Sequence, residues 1–402
     1  VFNFCDNVDM LAAVRFKEFL SVNNVLSLGN ERKRNKVYVL LDTEKKERLK
    51  AINEELSVLS VRFDNNLLAE TNDFKLELSG KEVSDLPTSV REAAKVDEKG
   101  NKFVFTLHKP SLIPFLTYSK NRELREKIYK AYLNRGNNEN SHDNKEIIND
   151  IIRLRIEKAN LLGYKSYSDY VISEQMAGSP KAVYALLEDI FAQAVEKAKE
   201  ELSEMEVMFK RDHHGENDKF ESWDWWYYAE KVRKQKYNLN EEMTSPYFAL
   251  DNVRQGAFNL ANRLYGLTFR PIVVPQYHNE ASAYEVLDSD GSHLGVLYFD
   301  FHPRASKSQG AWCGYFRRPG YDREGNRIHP VASIVCNFTR PNDNGVALLT
   351  IDEVSTLFHE FGHALHFLFS DVPYNGLLDV EGDFVELPSQ IMENWAFEEE
   401  LL

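Results

Sequence analysis

The sequence predicts a mainly α chain of two or more lobes, with one small β-sheet placed just before its last helices. Three observations carry this expectation. At 402 residues the chain is longer than one core organises well. Over long stretches apolar residues recur at three- and four-residue steps, as helices with one buried face require. Only between about 268 and 340 does the pattern turn to short apolar runs broken by Gly, Pro and Asp.

Along the chain, "EKKERLKAINEELSVLSVRFDNNLLAE" (44–70) aligns Leu49, Ile52, Leu56, Leu59 and Phe63 on one helical face. Further helices are expected at 119–134, 144–162 and 179–211. The last opens on Ser179-Pro180, a cap followed by a proline suited to a first turn. Its stripe is Val183, Leu186, Leu187, Ile190, Phe191 and Ala194. "WDWWYYAEKVRKQKY" (223–237) reads as a helix whose aromatic face packs in a core. "FRPIVVP", "AYEVLDSDGSHLGVLYFDFHPR" and "HPVASIVCNFT" read as strands, with Asp290-Gly291 as a hairpin turn. "DEKGN" (97–101) and "HHGEND" (213–218) read as surface loops. The expected division is 1–140 and 141–267, both helical, 268–345, β-rich, and 346–402, helical again.

Composition excludes several classes of function. Hydrophobic residues at 43% and charged residues at 28% are ordinary for a globular protein, and no apolar run is long enough to cross a bilayer. A net charge of −14 argues against nucleic acid as a partner. The basic run at 31–49 is mixed with acids and reads as a solvated helical face. Cys5, Cys313 and Cys336 form neither a disulfide framework nor a CxxC pair, which favours a reducing compartment, the cytoplasm. The start lacks the pattern of a signal peptide. The chain also lacks an initiating Met and reads as a piece of a longer protein, so the periplasm stays open.

The chemistry concentrates in "LFHEFGHALHFLF" (357–369). Residues four apart on a helix lie nearly above one another, so His359 and His363 can hold one ion from the same face. Glu360, one step round, can reach a water on that ion. This is the HExxH arrangement, with the Glu as general base. Val354, Leu357, Phe358, Phe361, Leu365 and Leu368 supply a packing face, and Asp352 is the expected cap. Gly362 lowers helix propensity by about 1 kcal/mol relative to Ala, which suggests a close approach to the backbone there. A third ligand is available in Glu386, 23 residues after His363, at the start of a helix that Pro388 favours. The rival acids are Asp379, Glu381, Asp383 and Glu393. Glu393 lies seven residues after Glu386 and can share its face as a partner to a ligand. His366 reads as packing or support.

"FHEFGHALH" followed by "DFVELPSQIMENWAFE" resembles the M3 zinc oligopeptidases. "LYFDFHPRASKSQGAWCGYF" and "HPVASIVCNFTRP" resemble that family's sheet segment, and the likeness extends back to about residue 45. "SKSQGAW" and the aromatic helix resemble its peptidyl-dipeptidase branch. The resemblance implies a helical two-lobed metallopeptidase fold with the small sheet next to the zinc-binding helices. It implies one Zn²⁺ per chain on His359, His363 and Glu386, with Glu360 as base and a short peptide as substrate. It also implies that Gly310 and Ala311 meet the substrate backbone. The family continues beyond "ENWAFEEELL" with a helical region whose Tyr and His residues stabilise the transition state. The loop between His363 and Glu386 is about two residues shorter than in the family. A grip on a free C-terminal carboxylate has Arg304, Lys307, Arg317 and Arg318 as candidates, each better read as a surface charge. The alternative is a helical scaffold that keeps the zinc site and binds peptides without cleaving them.

Overall fold

A computed structural model describes residues 41–94, 96, 102–213, 218–238, 241–341, 345–373 and 377–398. Most of the basic run at 31–49, the stretch 97–101, much of 213–218 and Cys5 lie outside these residues.

The first part is built from helices. Helix α1 (Thr43–Asp73) begins at Asp42, whose carboxylate accepts from Lys45 N at 2.8 Å. A two-stranded antiparallel ribbon, β1 (Leu76–Ser79) with β2 (Lys102–Phe105), surrounds the short α2 (Thr88–Ala94) in sequence. Then come α3 (Lys109–Tyr118), α4 (Arg122–Leu133), α5 (Lys145–Leu161) and α6 (Tyr167–Ile172). Helix α3 is a finding the sequence did not suggest. Pro110 falls in its first turn, where the missing N–H costs nothing, and Pro114 lies inside it, so the segment resembles a break.

Helix α7 (Pro180–Asp212) is capped by Ser179 as expected, its hydroxyl accepting from Ala182 N. Helix α8 (Trp225–Tyr237) returns against it around Met205, Phe209 and Tyr228. The stripe on α7 is present, but Leu186, Leu187, Ile190 and Phe191 are exposed. Only the far end of α7 is buried, at Met205 and Phe209. Helix α8 is tied to α4 at its start by Asp224, which takes Arg125 at 2.7 Å and Arg122 at 2.8 Å. Asp224 and Arg125 are both fully buried, so each supplies the counter-charge the other needs.

The second part starts with α9 (Leu250–Tyr265), stopped by Gly266 in the left-handed conformation. The β-rich stretch then forms a five-stranded mixed sheet in the order β3 (Thr268–Pro271), β4 (Ser282–Leu287), β5 (His293–Asp300), β9 (Val331–Val335), β6 (Trp312–Arg317). Strands β5 and β9 are parallel, while the other pairs are antiparallel. The β4–β5 hairpin turns at Asp290-Gly291 as predicted, with Gly291 at φ +82 and Gly291 N donating to Asp288 O at 2.9 Å. A small ribbon, β7 (Gly320–Tyr321) with β8 (Arg327–Ile328), precedes β9.

Helices α10 (Ile351–Phe369) and α11 (Leu387–Trp395) close the chain. One apolar core joins Leu297, Phe299 and Ile334 of the sheet to Phe361, Leu365 and Leu368 of α10 and Met392 of α11. The two histidines therefore sit on a helix wedged between a sheet and a second helix. Among the described residues no helix is long and apolar enough to cross a membrane.

Candidate metal centre

Helix α10 starts at Thr350 rather than at Asp352. The Thr350 hydroxyl accepts from Glu353 N at 3.1 Å, and the Glu353 carboxylate accepts from Thr350 N at 3.0 Å. This reciprocal pair satisfies two orphan donors, so it outcompetes the single bond Asp352 could make. Glu353 also accepts from Thr339 N at 2.7 Å, which ties the helix start to the segment after β9.

From that start, His359 and His363 fall on one face and Glu386 stands at the head of α11, with Pro388 in the first turn. Helix α11 comes close because of Gly362. A Cβ there would lie 2.5 Å from Pro388 O and 2.7 Å from Ser389 Cα. The residue that weakens the helix is thus the one that lets the neighbouring backbone in.

The approach brings three donors to a point. His359 Nε2 lies 3.2 Å and His363 Nε2 3.1 Å from Glu386 Oε2. Among the described residues these three form the metal-capable group, with donor atoms within 4.8 Å of one another. Glu393 takes the supporting place predicted for it, its Oε1 2.6 Å from His359 Nδ1. The carboxylate can accept a ring proton from Nδ1, and Nε2 is the nitrogen that faces Glu386. Ser389, which sequence reasoning missed, donates to Glu386 Oε2 at 2.8 Å from a fully buried position. Nothing in its spacing marks it beyond standing one turn into the helix that Glu386 opens.

Glu360 is buried and its Oε2 has no hydrogen-bond partner among the described residues. Burial lifts its carboxyl to about 7, with His359 opposing the rise and Glu386 adding to it. Burial lowers the His363 imidazole, which favours the neutral ring. His366 is pushed down to about 4 by burial, with His363 adding to the fall, and it lies in the core outside the three-donor group. Of the rival acids, Asp379 pairs with Arg318 at 3.0 Å, and Asp383 accepts from Met176 N and Ala177 N, each at 2.9 Å.

Gly310 and Ala311 lie just before the edge strand β6. Gly310 adopts φ +93, and its carbonyl accepts from Asn337 Nδ2 at 2.7 Å. Both residues line a cavity of about 540 Å³ that also touches Glu353 and Thr356 of α10. The candidate cations differ from expectation. Lys307 is buried, with its ammonium 2.9 Å from Asp300, and Arg304 binds the same carboxylate at 2.9 Å. These two neutralise a buried acid instead of decorating the surface. Arg317 donates to His329 O at 2.8 Å.

A helix-borne pair of histidines, a carboxylate from the next helix and a buried acid beside them place the chain in the HExxH class. Within that class it belongs to peptidase family M3, a metallopeptidase family whose sequence model matches residues 115–402. It is 36% identical to Organellar oligopeptidase A, chloroplastic/mitochondrial, of Arabidopsis thaliana, over 90% of this chain and 48% of that protein. It is 36% identical to dipeptidyl carboxypeptidase of Escherichia coli, over 87% of this chain and 52% of that protein. It is 35% identical to oligopeptidase A of Escherichia coli, over 90% of this chain and 55% of that protein. The chain thus spans about half the length of the curated relatives it matches.

Proposed function

We propose that the chain carries the zinc centre of a peptidase that hydrolyses short peptides, with His359, His363 and Glu386 as ligands and Glu360 as general base. The convergence of the three donors carries this reading. Tetrahedral Zn²⁺ at about 2.0–2.1 Å from N and O ligands sets those ligands about 3.3 Å apart. The contacts of 3.2 and 3.1 Å to Glu386 Oε2 suit that spacing. Two imidazoles and one carboxylate also leave a fourth position open, as catalytic zinc sites do.

Bound zinc supplies Lewis acidity to the scissile carbonyl and acidifies the attacking water. The chain's own residues then divide the remaining work. Glu393 and Ser389 orient His359 and Glu386 and cost no rearrangement during turnover. Glu360 takes a proton onto its unpartnered Oε2 and returns it to the leaving amine. Its buried carboxylate, with one oxygen free of any partner among the described residues, suits both halves of that transfer. Gly310 and Ala311, at the head of an edge strand, present backbone to an extended peptide.

Release of C-terminal dipeptides is the finer part of the proposal and is supported by the "SKSQGAW" segment. Relatives of both kinds match at 35–36% identity, and Arg304, Lys307 and Arg318 are already paired. The test is metal content together with hydrolysis of a blocked fluorogenic peptide by the chain and by Glu360→Gln. One zinc per chain, with cleavage falling about 10²–10⁴-fold in the variant, is expected. Zinc uptake with no cleavage by either form would favour a peptide-binding scaffold, and no zinc uptake would overturn the proposal.

A further inference from the structure

The cavity beside Gly310 is more than a gap between helices. Its far wall is made by Ile113 and Leu116 of α3, Tyr129 and Tyr132 of α4 and Trp226 of α8. Tyr129 and Trp226 pack with ring centroids 6.0 Å apart. Neither tyrosine hydroxyl is hydrogen-bonded among the described residues, so this apolar wall carries two available polar tips. The near wall is the Gly310-Ala311 backbone, with Asn337 and Thr356. Asn337 spends its Nδ2 on Ser308 O at 2.9 Å and Gly310 O at 2.7 Å. Its Oδ1 is buried and has no hydrogen-bond partner among the described residues, an acceptor left over beside the cavity.

The position relative to Glu360 fixes what could enter. Thr356 precedes Glu360 by four residues on the same helix, a rise of about 6 Å, and an extended peptide covers that in roughly two residues. At about 540 Å³ the cavity falls in the range of small-ligand pockets. Resting on the peptidase reading above, we propose that this cavity is a side-chain subsite. It takes an apolar or aromatic residue of the peptide, roughly two positions from the bond that Glu360 addresses. Asn337 Oδ1 accepts a main-chain N–H of the same peptide.

The test uses the zinc-loaded chain carrying Glu360→Gln, which holds peptides without cutting them. Blocked hexa-alanine peptides with one Phe at each position in turn are titrated by calorimetry, and the wild-type chain locates the cut in each. One position, roughly two residues from the cut, is expected to bind about tenfold or more tighter with Phe than with Ala, as burying one large side chain implies. Ile113→Trp and Leu133→Trp, the latter at a lining residue that is 60% exposed, each narrow the cavity with an indole. Both should cut the Phe gain several-fold more than they change hexa-alanine binding, with circular dichroism showing that the fold is kept. A Phe gain untouched by both substitutions, or no position that responds to Phe, would overturn the subsite but leave the peptidase reading standing. A zinc-loaded chain that binds none of the peptides would overturn both.

Discussion

Gly362→Ala sets two effects of known sign against each other. On propensity alone, Ala inside α10 stabilises the helix by about 1 kcal/mol. Packing opposes it, because the new Cβ would sit 2.5 Å from Pro388 O, where ordinary contact begins near 3.4 Å. Relief takes a shift of about 0.9 Å, and the obstructing atoms are backbone, so no side chain can rotate away. Overpacking of that kind costs about 1–3 kcal/mol, enough to cancel or exceed the gain in propensity. The shift also moves α11 as a body, and with it Glu386 and Glu393. Metal–ligand distances tolerate only about 0.2 Å, so zinc affinity should fall further than stability does. The assay is competition against a chromophoric chelator, run beside thermal unfolding of the metal-free chain. A fall in zinc affinity of about tenfold or more, with an unchanged or lower midpoint, is expected. An alanine variant that melts higher and holds zinc as tightly as the wild type would refute the close-approach account.

Two further outcomes follow from the same geometry. Glu393→Ala removes the carboxylate 2.6 Å from His359 Nδ1 and should weaken zinc binding about 10–100-fold without altering the fold, checked by chelator competition and circular dichroism. Asp300 is the counter-charge for buried Lys307 and for Arg304, and Asp300→Asn should cost about 3–5 kcal/mol at neutral pH, read by denaturant melts. Burial alone would raise the Asp300 carboxyl, but the bonds from Arg304 and Lys307 outweigh it and hold the group at about 2. Its folded value therefore lies below the unfolded value of about 3.9. Its contribution is complete above pH ~4 and disappears as the pH falls toward 2. The gap between wild type and Asp300→Asn should narrow over that window, and a gap equal at pH 7 and pH 2.5 would count against the ion cluster.

The local part of the centre was legible because helix geometry is periodic. His359, His363 and Glu360 follow from i, i+4 spacing, and Gly362 flagged a close approach that Pro388 and Ser389 make. The Thr350 cap was also legible, since Thr350 and Glu353 stand at the spacing of a capping box, yet Asp352 is an equally good single cap. Reciprocity decided between them. Other features depend on what the chain meets far away. No sequence pattern separates Lys307, buried against Asp300, from Arg317, whose guanidinium reaches a backbone carbonyl. The parallel pairing of β5 with β9 was hidden too, because the Asp-Gly turn reports only the hairpin it closes. The apolar stripe on α7 shows the limit most clearly. Periodicity identifies Leu186, Leu187, Ile190 and Phe191 as one face, but it carries no information about what covers that face. Burial is a property of pairs of elements, and it can be read from one element only when its partner is near in sequence, as α11 is to α10.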